Sequence, residues 1–127
     1  MSATEPNTVF EAIGEAGLRR LVSEFYRRVP GDSILGPMYP AHELAEAERR
    51  LGDFLIYRFG GPDTYIRERG NPQLRMRHIQ FAITSGARDR WVSLMDATLD
   101  EAALPFEVAT VVRAFLHEAA TFLINRP

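Results

Sequence analysis

The chain has 127 residues, 46% apolar and 25% charged, with a formal net charge of −2. That is one ordinary globular domain able to bury a core unaided, and its charge balance disfavours nucleic acid or an anionic membrane as a partner. Cysteine is absent and all 15 basic residues are arginine, which excludes disulfides, thiolate metal sites, cysteine nucleophiles, Schiff-base lysines and a P-loop lysine.

Helical spacing dominates the chain from its N-terminal side. The start, Met-Ser-Ala-Thr-Glu-Pro, has neither the basic nor the apolar region of a secretory leader. No apolar run approaches a membrane span, so a cytoplasmic location is expected. A short helix near Phe10–Ile13 precedes a stripe of Leu18, Leu21, Val22, Phe25, Tyr26 and Val29, which stops at Pro30-Gly31-Asp32. A second stripe, Leu44, Ala47, Leu51, Phe54 and Leu55, ends at Gly60-Gly61-Pro62, the usual glycine-then-proline punctuation of a helix C-terminus. Asn71-Pro72 reads as the cap and first turn of a further short helix. A third stripe runs Trp91, Leu94, Met95, Thr98 and Leu99. A fourth runs Val108, Val111, Val112, Phe115, Ala119, Phe122 and Leu123, with Pro105 suited to its first turn. The connections 30–43 and 59–73 are long for a small helical domain and are expected to be functional or to carry short helices. Four main helices in two pairs, with a shaped segment between, is the architecture this predicts.

Three sets of side chains could carry chemistry. His42, His78 and His117 are too far apart in sequence to chelate a metal from one helix turn. His42 falls in a proline-containing loop and His117 at the edge of the last helix. His78 shares an apolar face with Leu74 and Phe81, a placement more often held by a hydrogen-bonded core histidine than by a ligand. Tyr26, Tyr39 and Trp91 each join an apolar ring to one polar hydrogen, which suits either core packing or a set of donors converging on a ligand. Arg75 and Arg77 flank His78, and Arg49-Arg50 sit on the second helix. Such arginines form either a solvated face or a clamp for carboxylates.

The stretch Phe59-Gly-Gly-Pro-Asp-Thr-Tyr65, followed by Arg69-Gly-Asn-Pro-Gln-Leu-Arg-Met-Arg-His78-Ile-Gln-Phe81-Ala-Ile83, closely resembles the haem-binding segment of group II truncated haemoglobins. So do Phe25-Tyr26, Met38-Tyr39-Pro40, the Ala47…Leu51 helix and Arg88-Asp-Arg-Trp91, and the resemblance runs from about Val9 to Pro127. It implies an all-α, globin-like two-over-two helical sandwich around one haem b, in a single domain over 1–127 with residues 1–8 as a loose extension. His78 matches the family's proximal iron ligand, its other ring N–H oriented by a backbone carbonyl or similar acceptor. Tyr26, Tyr39 and Trp91 match the polar distal aromatics. Ala47 falls where many globins place a distal histidine, and Leu51 one turn on. Arg50 and Arg77 match the propionate partners, with Tyr65 a weaker one, and Leu74 and Phe81 complete the expected cofactor contacts. The chain departs from the family where Gly14-Glu15 replaces a frequent glycine pair, Phe59 a tryptophan, Asn71 a histidine and Gln80 a proline.

The resemblance implies binding of O2 and of other diatomic ligands such as NO and CO. A donor-rich distal site suits redox chemistry on the gas better than bulk delivery. A neighbouring reading is an enzyme oxidising nitric oxide to nitrate or activating peroxide, supplied by an unidentified reductase. A cofactor-free helical interaction domain is the third, disfavoured by the Pro/Gly-shaped segment 59–73, since a plain bundle needs only short turns. Oligomeric state is left open by the sequence.

Overall fold

The computed structural model describes residues 6–79 and 81–126. Residues 1–5 of the expected extension, and Gln80, lie outside the described residues. The helices are α1 (Pro6–Arg28), α2 (Leu44–Arg58), α3 (Thr64–Arg69), α4 (Leu74–Arg77), α5 (Ser85–Ala102) and α6 (Phe106–Phe122). The short first helix and the one after it form α1 together, kinked at Gly14 with φ 66° and ψ −175°. Only glycine enters that region without strain, so the chain retains the glycine of the pair that the bend requires. Beyond the kink, Leu18, Leu21, Val22, Phe25, Tyr26 and Val29 are all buried, as their spacing predicts.

α1 packs on α2 and α5 packs on α6, while α1 also meets α5 and α6. This is the expected stack of two helical pairs. Phe25, Leu55, Phe59, Met95, Leu99 and Val112 lie fully buried between them. α2 stops because Gly60 takes φ 99° and the Gly61 N–H turns back to the Ile56 carbonyl at 2.8 Å. A Cβ on Gly61 would lie 2.6 Å from the Phe10 ring and 2.7 Å from the Ile56 side chain, so glycine is needed there for close approach of α1.

The two long connections are shaped rather than loose. Segment 30–43 carries three 3₁₀ turns, Val29–Gly31, Gly36–Met38 and Ala41–Glu43. Segment 59–73 contains α3, docked on α2 through Arg69, whose guanidinium reaches Glu46 at 3.3 Å and the buried Asp53 at 3.7 Å. Arg19 of α1 holds the other oxygen of Asp53 at 2.7 Å.

Three local expectations are corrected. Asn71 and Pro72 do not open α4. Gln73, in a left-handed conformation (φ 41°, ψ 52°), is the N-cap, and it makes no side-chain cap bond. The extended geometry favoured before Pro72 delays the helix to Leu74. Pro105 is the N-cap of α6 rather than its first turn. Phe122 is 54% exposed instead of facing inward; its ring is met by the Arg75 guanidinium at 5.6 Å.

Asp32 ties the first connection to the second pair. One carboxylate oxygen accepts from the Ile34 and Leu35 backbone N–H groups at 2.9 and 2.8 Å. The other accepts from Arg90 Nε at 3.0 Å. Arg90, then the Leu35 and Ile34 amides, hold the carboxyl down from 3.8 to about 2. A carboxylate depressed in the folded state stabilises it fully above its unfolded pKa and loses that contribution as pH falls through the folded one. Asp32→Asn is therefore expected to unfold at lower temperature than the parent near neutral pH, with the gap closing between about pH 4 and about pH 2. Thermal melts of both proteins across that range check this; a gap independent of pH would contradict it.

Candidate functional site

α4 is a single turn, and His78 is the residue that ends it. The ring Nδ1 lies 2.7 Å from the Leu74 carbonyl oxygen, which also accepts the His78 backbone N–H at 3.1 Å. A carbonyl can only accept, so Nδ1 carries the proton and Nε2 presents its lone pair outward. No other described group bonds to the ring. The Phe81 ring sits 6.1 Å away, centre to centre, and is 37% exposed. The remaining histidines are placed differently. His42 is solvated, its side chain 81% exposed. His117 Nε2 lies 2.8 Å from the Asp96 carboxylate, where Arg113 also binds at 2.7 Å, in the seam between α5 and α6.

The three polar aromatics come from three elements and meet. Tyr26 on α1 and Tyr39 on the first connection approach edge to face, with ring centres 5.6 Å apart. Phe25 packs on Trp91 of α5 at 4.9 Å and on Tyr26 at 5.1 Å. The Arg90–Asp32 pair fixes the start of this arrangement by anchoring α5 beside Trp91. Burial pushes the Tyr26 hydroxyl well up, and proximity to Tyr39 adds to it. Burial also raises Tyr39, against hydrogen bonds from Trp91 and Tyr26 and the charge of Arg50, which pull it down. Both phenols stay protonated near neutral pH.

A groove of about 820 Å³ opens between α2, α4 and α6, lined by Phe54, Tyr57, Leu74, Phe115 and Phe122 among others. Leu74 is the one predicted site residue that lines it. The His78 imidazole and the aromatic donors Tyr26, Tyr39 and Trp91 do not.

Residues 8–125 match the family model described as bacterial-like globin. The chain belongs to that family. It is 38% identical to the group 2 truncated hemoglobin YjbI of Bacillus subtilis over 94% of this chain and 90% of the relative. The crystal structure of a thermostable hemoglobin from the actinobacterium Thermobifida fusca superposes with a TM-score of 0.89 at 42% identity, covering 94% of this chain and 98% of that one. A truncated oxygen-avid haemoglobin from Bacillus subtilis gives 0.86 at 38% identity, covering 92% and 98%. This globin is thus a group II truncated haemoglobin with a two-over-two fold. Globins of the family bind haem b and, on it, diatomic gases. No described helix is long and apolar enough to cross a membrane.

The other predicted site residues fall in several settings. Ala47 is buried on α2, and Leu51 is half-buried one turn further on. Arg50 is exposed beside them and close enough to lower both tyrosine hydroxyls. Arg77 already donates to the Asn71 carbonyl at 3.0 Å and to that of Arg69, so it braces the loop before α4. Tyr65 is buried against Phe54 at 5.4 Å and stacked on Tyr57 at 6.3 Å.

Proposed function

We propose that this globin holds haem b through His78 Nε2 and retains O2 with the donors of Tyr39, Tyr26 and Trp91, for redox chemistry on the gas rather than bulk delivery. The observation that carries the reading is the 2.7 Å bond from His78 Nδ1 to the Leu74 carbonyl. It fixes the tautomer, orients the ring and raises the basicity of the free nitrogen, as metal-binding histidines require. The donor set fits the group: one neutral imidazole, apolar Leu51, Leu74 and Phe81, and Arg50 at the rim for carboxylates. When bound, haem supplies an iron centre with an open position for a diatomic gas and electron density to polarise it.

The residues decide how long a gas stays. A hydrogen bond to a charged acceptor contributes about 1.5–3 kcal/mol, so two donors slow release by about a hundredfold or more. The truncated haemoglobin from Bacillus subtilis, similar to this chain at 38% identity, is oxygen-avid, which supports this. A retentive site delivers O2 poorly and suits oxidation of NO to nitrate, with an unidentified reductase returning electrons. Strong peroxidase chemistry fits less well. Ala47 cannot move a proton, and phenols raised by burial are poor bases near neutral pH. The test is release of O2 from the reduced, haem-loaded protein into CO-saturated buffer. Slow release that quickens in Tyr39→Phe supports the reading, whereas a parent rate already equal to that of Tyr39→Phe overturns it.

Arg50 and Arg77 are the proposed propionate anchors, because only arginine can supply a fixed cation in a chain without lysine. Arg50→Ala is expected to speed haem transfer to an acceptor protein by about threefold to tenfold, the worth of one exposed charged hydrogen bond. Arg77→Ala should have the smaller effect, since its guanidinium is shared with two backbone carbonyls. Unchanged transfer in both variants and in the double variant would count against the assignment.

A further inference from the structure

The backbone around His78 is held from the opposite end of the sequence. The segment after α6 doubles back beside His78, Ile83 and Thr84, and Asn125 bridges them. Its side-chain Oδ1 accepts the Ile83 N–H at 3.0 Å, and its Nδ2 donates to the His78 carbonyl at 3.3 Å. The Ile83 amide needs an acceptor, so it fixes which way the Asn125 amide faces and directs the NH₂ at His78. The main chain supports the same clasp. Asn125 and Arg126 N–H both donate to the Ile83 carbonyl, at 2.9 and 3.0 Å, and Thr84 pairs with Arg126 as an isolated bridge. Arg75 closes it from α4, donating to the Ile124 carbonyl at 3.3 Å with its guanidinium over Phe122.

α4 is one turn long and cannot hold His78 rigidly by itself. A four-residue helix has almost no internal hydrogen bonding to resist fraying. The His78 ring is tied to Leu74 inside that turn, so the ring moves wherever the turn moves. The His78 carbonyl, which accepts from Phe81 N–H at 3.0 Å and from Asn125, is the point at which the segment after α6 grips the main chain of the turn at His78 itself.

We infer that Asn125 is a positioning residue for His78: it clamps the carbonyl of the proposed iron ligand to the segment after α6 and so sets the imidazole's tilt and its hold on iron. The inference rests on His78 being that ligand. Groups that brace a ligating histidine commonly change metal affinity severalfold or more when removed.

Asn125→Asp isolates the contact. The variant keeps an oxygen for the Ile83 N–H, removes the donor to His78 and sets a carboxylate oxygen against the carbonyl. Asn125→Ala removes both bonds. The readouts, on haem-loaded protein, are the iron–histidine stretching band in the resonance Raman spectrum of the reduced form and the rate of haem transfer to an acceptor. The expected result is a shifted or broadened band and about threefold to tenfold faster haem loss in Asn125→Asp, with Asn125→Ala at least as affected. An unchanged band and unchanged transfer in both variants overturn the inference. His78→Gly, run alongside, tests the reading beneath it: if that variant keeps the parental band without added imidazole, His78 is not the ligand and the failure lies there.

Discussion

His78→Gly is expected to lose stable haem uptake, and imidazole added to the buffer to restore it. The substitution removes the ring and leaves the backbone N–H that donates to the Leu74 carbonyl, so the turn of α4 keeps its main-chain bond. The space vacated lies beside Phe81 and is bounded by that same carbonyl. Free imidazole can enter, donate one N–H to Leu74 and offer its other nitrogen outward, which reproduces the arrangement of the side chain. Losing an outer partner of a metal-binding histidine costs about 10- to 100-fold in affinity, so losing the ligand itself should exceed about a hundredfold. Haem titration followed at the Soret band, with and without imidazole, measures both arms. His42→Ala and His117→Ala serve as controls, the first solvated and the second held by Asp96. Loss of the five-coordinate reduced spectrum in either would place the ligand elsewhere.

Trp91→Phe should raise the O2 off-rate by about tenfold or more, corresponding to loss of roughly 1.4 kcal/mol or more. Phenylalanine keeps a ring against Phe25 and removes the indole N–H. The indole also neighbours the Tyr39 hydroxyl, so its removal acts twice. A donor leaves the site, and Tyr39 loses one of its two polar partners. Tyr26→Phe removes the other partner and should act in the same direction. Because both work through one hydroxyl, the double variant should show less than the product of the two single effects. Carbon monoxide is much less polarised and gains little from donors, so its release should change far less. Equal acceleration of both gases in Trp91→Phe, measured by stopped flow, would show that the residue acts as a steric gate and that hydrogen bonding does not hold the ligand.

Much of the fold was legible because it rests on local periodicity. Apolar residues three and four apart wrote out the buried faces of α1, α2, α5 and α6. Gly60 and Gly61 ended α2 where glycine conformations are required, and Gly14 marked the kink in α1. The His78–Leu74 bond is also local, an i to i−4 contact inside one turn; the resemblance implied an acceptor for that ring N–H without naming Leu74. Asn71 misled, because capping preference competes with the restriction that proline places on its neighbour, and here the restriction won. What only the tertiary structure decided is which faces meet. Asp32 and Arg90 are 58 residues apart, and Asn125 and His78 are 47 apart. Neither pair leaves a trace in spacing, since a polar residue in a loop reads the same whether solvated or clasped. The meeting of Tyr26, Tyr39 and Trp91 is likewise tertiary. Periodicity turned Tyr26 and Trp91 inward, but Tyr39 sits in a connection with no periodicity, and its ring reaches them only when α1, α5 and the 3₁₀ turns between α1 and α2 are assembled.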